Sequence, residues 1–330
     1  MRIAFAALSL LLAGAAAAQT QQQPRTPAPA IEKAPPPIML QKVPRAASPE
    51  SKPEFDDPLT AYQRGYYATA FQLAQKRYEQ NKTDAANITL LAALYAEGQG
   101  VTANPQEALR LYRAAADLGD QNAAFAVGIA ALKGQGMAVD RTLARRMFEQ
   151  AAAKGQPEAQ YNLGVMAIES ESAAPDFGAA LNYFKRAAAN GSGDAAYSLG
   201  VLYHLGRGTE RSDPEAAGWF KQAAEADNVP GMVEYAIMLF NGEGTPKDEA
   251  GAARWFLKAA QRGNPVAQNR AARLLAAGRG VQPDIVEAMK WHLLARTAGI
   301  HDEWLESRLS QLSASQRNQV EDAVKKFSGG

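Results

Sequence analysis

The chain has no cysteine, only three histidines, few β-branched residues and almost no net charge. Without cysteine there can be no structural disulfide, no Cys-ligated zinc, no iron–sulfur cluster, no thiol nucleophile and no lipid anchored on an N-terminal cysteine. Scarcity of β-branched side chains speaks against an all-β fold. Lys and Arg number 35 against 34 Asp and Glu, a balance that argues against a general nucleic-acid binder. What is abundant is alanine, 69 of 330 residues. Alanine costs least in a helix and lets backbones approach, so the composition suits closely packed helices. A chain of this length ordinarily holds two or three globular domains, unless it is a repeat array that needs no single large core.

Met1-Arg2 opens the chain, and a small and apolar run from Ile3 to Ala18 ends in Ala16-Ala17-Ala18 before Gln19. This is the layout of a secretory signal peptide with an Ala-x-Ala cleavage site. As a helix the run reaches only ~24 Å, short of the ~30 Å hydrocarbon core. Cleavage after Ala18 is expected, leaving a neutral protein in the periplasm or outside the cell, with no stable membrane anchor. Residues 19–58 hold ten of the 18 prolines together with Gln21-Gln22-Gln23 and Pro35-Pro36-Pro37. Such a stretch cannot bury an apolar face and is expected to be a disordered linker spanning about 35 Å, a tether or a docking tail.

A strict period occupies the rest. Gly-x-Gly recurs at Gly98, Gly134, Gly206, Gly242 and Gly278, in steps of 36, 72, 36 and 36 residues. Ser170-Glu171-Ser172 fills the skipped slot. On the same step Asn104, Asp140, Asp176, Ser212, Asp248 and Asp284 form a column of good N-cap residues, with Glu107, Glu215 and Glu287 placed to complete capping boxes. Behind each cap, Ala108, Ala144, Ala180, Ala216, Ala252 and Ala288 lie four residues before Tyr112, Phe148, Phe184, Phe220, Phe256 and His292. Three residues further comes another alanine in every unit, from Ala115 to Ala295. Spacings of four and three put small, aromatic and small side chains on one helix face. These helices stop at Gly119, Gly155, Gly191, Gly263 and Gly299, where glycine takes the left-handed C′ conformation, and Asp227 replaces it once at some cost in strain. The other helix of the pair, the first of the next unit, then carries Ala123, Ala159, Ala195 and Ala267.

The pattern Ala-x-Tyr-x-Leu-Gly, Gly-x-Gly, then Asp-x-x-x-Ala-x-x-Trp-Phe-x-x-Ala-Ala-x-x-Gly resembles the Sel-one-like repeat, a relative of the tetratricopeptide repeat. Its fullest match runs through Ala195, Gly200, Gly206, Gly208, Ala216, Trp219, Phe220 and Ala223. Six units fit residues 85–300, a degenerate first unit fits 59–84, and 301–330 resemble the capping helices of such arrays. The resemblance implies an all-α fold, an α/α superhelical solenoid of 36-residue helix-turn-helix repeats, whose concave face binds other proteins and performs no chemistry. Bacterial members of the family tend to be secreted or periplasmic adaptors, regulators of envelope signalling or host-interaction factors, and some cysteine-rich members are associated with penicillin binding.

The residues offer little chemistry to set beside this. His292 falls in the aromatic column, His204 follows Tyr203 late in a first helix, and His301 sits in a turn; none has a second ligand three or four residues away. Asp56-Asp57 and Glu169/Glu171 are solvated turns rather than catalytic pairs. There is no Ser-x-x-Lys, Lys-Thr-Gly or Gly-x-Ser-x-Gly motif, and Gly-x-Gly follows a helix rather than a strand. No catalytic, cofactor-binding or metal site is therefore expected. By analogy with the tetratricopeptide groove, the first helix of each pair should line the concavity with Phe125, Ile129, Tyr161, Val165, Tyr197, Val201, His204, Ile237, Phe240, Asn269 and Arg273, apolar along most of its length and basic at its C-terminal end. The competing reading is that these rings seal adjacent repeats. The expected function is a non-enzymatic scaffold or adaptor of the bacterial cell envelope that binds a protein or peptide partner, with no nucleic acid. Alternatives are a cell-wall-associated enzyme or peptidoglycan- or β-lactam-binding factor, and a secreted host-interaction protein.

Overall fold

The computed structural model describes residues 55–169 and 174–328, so the leader, nearly all of the Pro-rich stretch and Ser170–Ser172 lie outside the described residues. All regular structure among the described residues is helical. The chain divides at Pro175/Asp176 into two compact units. The N-terminal unit contains α1 (Pro58–Gln63), α2 (Tyr67–Gln80), α3 (Ala85–Glu97), α4 (Pro105–Asp117), α5 (Gln121–Lys133), α6 (Arg141–Ala153) and α7 (Pro157–Ile168). The C-terminal unit contains α8 (Phe177–Ala189), α9 (Gly193–Leu205), α10 (Asp213–Glu225), α11 (Val229–Asn241), α12 (Glu249–Gln261), α13 (Pro265–Ala277), α14 (Ile285–Thr297), α15 (Glu303–Ser310) and α16 (Ala314–Ser328). Within each unit consecutive helices pack as pairs, the arrangement of a repeat solenoid. Helix α1 starts at Pro58, capped by Asp57, so order reaches slightly into the stretch expected to be linker. No helix among the described residues is long and apolar enough to cross a membrane.

Caps decide where these helices begin. Asn104, Asp140, Asp176, Ser212, Asp248 and Asp284 each accept a hydrogen bond from the backbone N–H three residues on, at 2.8–3.4 Å. Each such cap is worth about 1 kcal/mol. First helices are capped in the same way by Asp120, Ser192, Asn228 and Asn264, a column the sequence reading passed over. The expected capping boxes do not close in that form. The N-cap amide that Glu107, Glu215 or Glu287 would accept from is already used: Asn104, Ser212 and Asp284 donate it to Tyr95, Tyr203 and Leu275 carbonyls at 2.9, 2.9 and 3.2 Å. Glu107 turns instead to Arg110 and Glu287 to Lys290.

The small-aromatic-small face is the core. Phe148, Phe184, Phe220 and Phe256 are buried with their flanking alanines. The rings meet aromatic side chains of the paired first helix, Phe125 with Phe148 at 5.6 Å and Tyr197 with Phe220 at 5.7 Å between centroids. A Cβ on Gly128 or Gly200 would lie 2.5 Å from these phenylalanine rings, so a side chain there would exclude them. At the C-terminal end His292 takes the ring position, fully buried, with Nε2 3.0 Å from Glu306 Oε1. Trp291 packs on Phe327 of the closing helix at 5.1 Å.

Two turn positions show what glycine contributes. At Gly280 (φ +68°) an added Cβ would meet the Glu249 carbonyl oxygen at 2.1 Å, backbone against backbone. Gly263 has a similar φ of +81° but nothing within 4 Å. Asp227 occupies the left-handed position equivalent to Gly263 with φ 64°, the only non-glycine to do so among the described residues, and binds Lys258 and Arg262 at 3.4 and 2.5 Å. The two glycines should therefore respond differently to alanine. Gly263→Ala should cost only the left-handed penalty of about 1 kcal/mol, whereas Gly280→Ala should cost at least about twice that by forcing the repeats apart. Thermal and denaturant unfolding of the two variants checks this; equal losses would contradict it.

Candidate protein-binding face

The first helices carry the face on which a partner is expected. In the N-terminal unit a cavity of about 480 Å³ opens between α4 and α5, lined by Leu109, Tyr112, Phe125, Ile129 and Lys133. In the C-terminal unit a cavity of about 430 Å³ is lined by Ile237 and Phe240 of α11, Arg270 and Arg273 of α13, Arg279 of the following turn and Trp304 of α15. A second, of about 530 Å³, shares Arg270, Arg273 and Trp304 and adds Asn269, His301, Asp302 and Glu303.

Sequence-predicted residues divide into two groups. Ile129, Tyr161, Val165, Val201, Ile237 and Phe240 are half-buried on first helices. Phe125 and Tyr197 are only 1% and 3% exposed. Their rings are committed to Phe148 and Phe220, so the structure corrects their assignment as partner contacts: they seal the pair. Asn269 is corrected similarly, being buried and donating through Nδ2 to Asp302 Oδ2 at 2.8 Å. His204 is tied by Nδ1 to Asp213 Oδ1 at 2.9 Å. Arg273 reaches the cavities but is already matched, its Nε and Nη2 bonding both Asp302 oxygens at 2.6 and 2.9 Å.

Electrostatics at this end centre on Asp302, the N-cap of α15. Burial pushes its carboxyl up, but hydrogen bonds from Arg273, Asn269 and the Leu305 amide outweigh that and hold it at about 2. The same pair raises Arg273. Arg270, one turn earlier on α13, behaves oppositely. Burial lowers its pKa, the neighbouring Arg273 lowers it further, and Asp302 offsets only part. It makes no hydrogen bond or ion pair among the described residues. The basic character expected at Arg273 thus falls to Arg270, which the Arg-x-x-Arg spacing puts on the same helix face.

In three repeats the middle residue of Gly-x-Gly also lies against the first residue of the preceding second helix. Arg207 lies over the Phe177 ring at 5.6 Å, and Arg279 pairs with Glu249, which also binds Lys247 at 3.1 Å. In the intervening repeat the register brings Glu243 to Asp213, with Arg211 bridging them at 2.9 and 3.8 Å. His204, Asp213 and Glu243 thus offer three ligand atoms within 4.8 Å of one another, a cluster no local spacing announced. Arg211 already supplies positive charge to both carboxylates.

These columns are those of a known repeat. The Sel1 repeat matches six consecutive stretches, residues 88–120, 121–156, 157–192, 193–228, 229–264 and 265–300, and the chain belongs to the Sel1 repeat family. Sel1 repeat proteins are generally protein-interaction scaffolds. Among solved structures, c5321, a protective antigen of uropathogenic Escherichia coli with an SLR fold, superposes with a TM-score of 0.68 at 26% identity over 82% of this chain. The present chain spans 61% of that protein's length. A Sel1 repeat protein from Oxalobacter formigenes gives a TM-score of 0.66 at 27% identity, over 73% of this chain and 98% of that one. No curated protein matches the chain.

Asp302 yields a pH prediction. Its folded-state value of about 2 lies below the ordinary 3.8, so its stabilisation is complete above about pH 4 and is lost as the pH falls through 2. Asp302→Asn should lose about 2 kcal/mol at pH 7 and flatten the fall in stability between pH 4 and 2. Denaturant midpoints across that range measure it.

Proposed function

We propose that this protein is a non-enzymatic adaptor of the bacterial cell envelope, holding a partner protein or peptide on the face formed by its first helices. The observation that carries the reading is the pairing of open apolar side chains with a cavity on that face in each unit: Ile129 in the first, Ile237, Phe240 and the exposed Trp304 in the second. Apolar anchors on a rigid helical face are what peptide recognition in a groove requires. The family's general scaffold role supports the same reading, and the composition of Met1–Ala18 supports export. A second reading, a secreted protein facing a host, draws on the likeness to the protective antigen c5321.

Three measurements test this. A photo-crosslinking residue at position 240 should capture a discrete partner in intact cells, and one at position 221 on an exposed second-helix surface should not; equal capture would sink the face assignment. Osmotic-shock fractionation should release the mature chain with periplasmic markers, and recovery in the culture medium would favour the host-facing reading. With the crosslinker moved to position 237, Phe240→Ser should abolish capture with a loss of stability under about 1 kcal/mol, whereas Tyr197→Ser should cost about 3 to 5 kcal/mol as a core substitution.

A further inference from the structure

Charge on the walls of the 430 Å³ cavity does not balance, whereas the 530 Å³ cavity beside it sets Asp302 and Glu303 against Arg270 and Arg273. Three guanidinium groups, Arg270, Arg273 and Arg279, line the 430 Å³ cavity. Arg273 is matched by Asp302 and Arg279 by Glu249, while Arg270 makes no ion pair among the described residues and feels Asp302 only at longer range. A half-buried charge left unpaired is costly, and the cost is recovered when a hydrogen-bonding anion arrives. Around it stand apolar surfaces that also favour a peptide over a bare ion. The Phe240 ring carries Arg279 at 4.5 Å, and Trp304, 37% exposed, lies beneath Arg273 and Arg308 at 5.6 and 4.2 Å.

We propose that this cleft is the specificity pocket of the protein-binding face and takes an acidic side chain flanked by large apolar residues within a partner peptide, the carboxylate bonding Arg270. The occupant is an internal residue rather than a chain end, because Arg270, Arg273 and Trp304 are shared by both cavities, so a chain passing over Arg270 has room on either side. Arg273 and Arg279, already engaged, hold the walls and orient the aromatic rings. The proposal rests on the scaffold reading and names the chemistry of its partner.

The test uses the full chain as bait for phage-displayed random dodecapeptides fused through their C termini, followed by calorimetry with the best sequence as an acetylated, amidated peptide. Enriched peptides should carry Asp or Glu beside Phe, Leu or Trp. Replacing that acid by its amide in the peptide, or Arg270→Gln in the protein, should each weaken binding about tenfold or more, and combining them should weaken it little further. Arg270→Gln should leave the melting temperature unchanged or raised, the opposite of what a structural role would give. Peptides that bind Arg270→Gln as tightly as the natural chain but are lost on Phe240→Ser would overturn this pocket and leave the scaffold reading standing. Absence of any peptide sensitive to either substitution would overturn both. A gain seen only with a free C-terminal carboxylate, or displacement of the peptide by equimolar inorganic phosphate, would also overturn the assignment.

Discussion

The structure depends on one backbone contact repeated along the chain: the second glycine of each Gly-x-Gly turn rests on the first peptide of the preceding second helix. A Cβ at Gly100, Gly136, Gly244 or Gly280 would fall 2.1–2.6 Å from the carbonyl oxygen of Tyr67, Pro105, Asp213 or Glu249. No side chain larger than hydrogen fits, so the distance between successive units is set by main chain alone. The same turn is tied back to its own first helix, because the N-cap amides of Asn104, Asp140, Ser212, Asp248 and Asp284 donate to carbonyls nine residues earlier. One turn thereby fixes the angle within a pair and the contact between pairs.

Packing follows from that spacing. Alanines on both sides of each second-helix ring let neighbouring helices approach, and Phe148 and Phe220 fill the remaining space over Gly128 and Gly200. Side-chain pairing across repeats inherits the register too, which is why the middle residue of Gly-x-Gly finds Phe177, Asp213 or Glu249 according to what stands one unit back. The two compact units divide at Pro175/Asp176.

Helices, second-helix caps, turn glycines and buried rings were legible in the sequence, because a strict 36-residue period states each of them several times. Less legible was the direction in which first-helix side chains point. Those helices are apolar on most sides, so spacing alone did not separate Phe125 and Tyr197, which seal their own pair, from Ile129 or Phe240, which remain half-open. The C-terminal end broke the period altogether. Asp302 lies 33 residues from Asn269 and 29 from Arg273, outside the repeating columns, so its capture of both was invisible and Arg273 passed for a free basic group. The Arg-x-x-Arg spacing set Arg270 beside Arg273, but which of the two is left without an ion pair follows only from the capture of Arg273 by Asp302.

The proposed adaptor role builds on that locking. Pairs locked at the turns present first-helix side chains without the ordering cost that a flexible surface would incur on binding. Hydrogen exchange of the five N-cap amides tests that locking most directly. If the turns set the register, the amides of Asn104, Asp140, Ser212, Asp248 and Asp284 exchange as slowly as helix interiors, while exposed turn amides such as Ala138 and Lys247 exchange fast. Exchange of the N-cap amides at open-turn rates would contradict it.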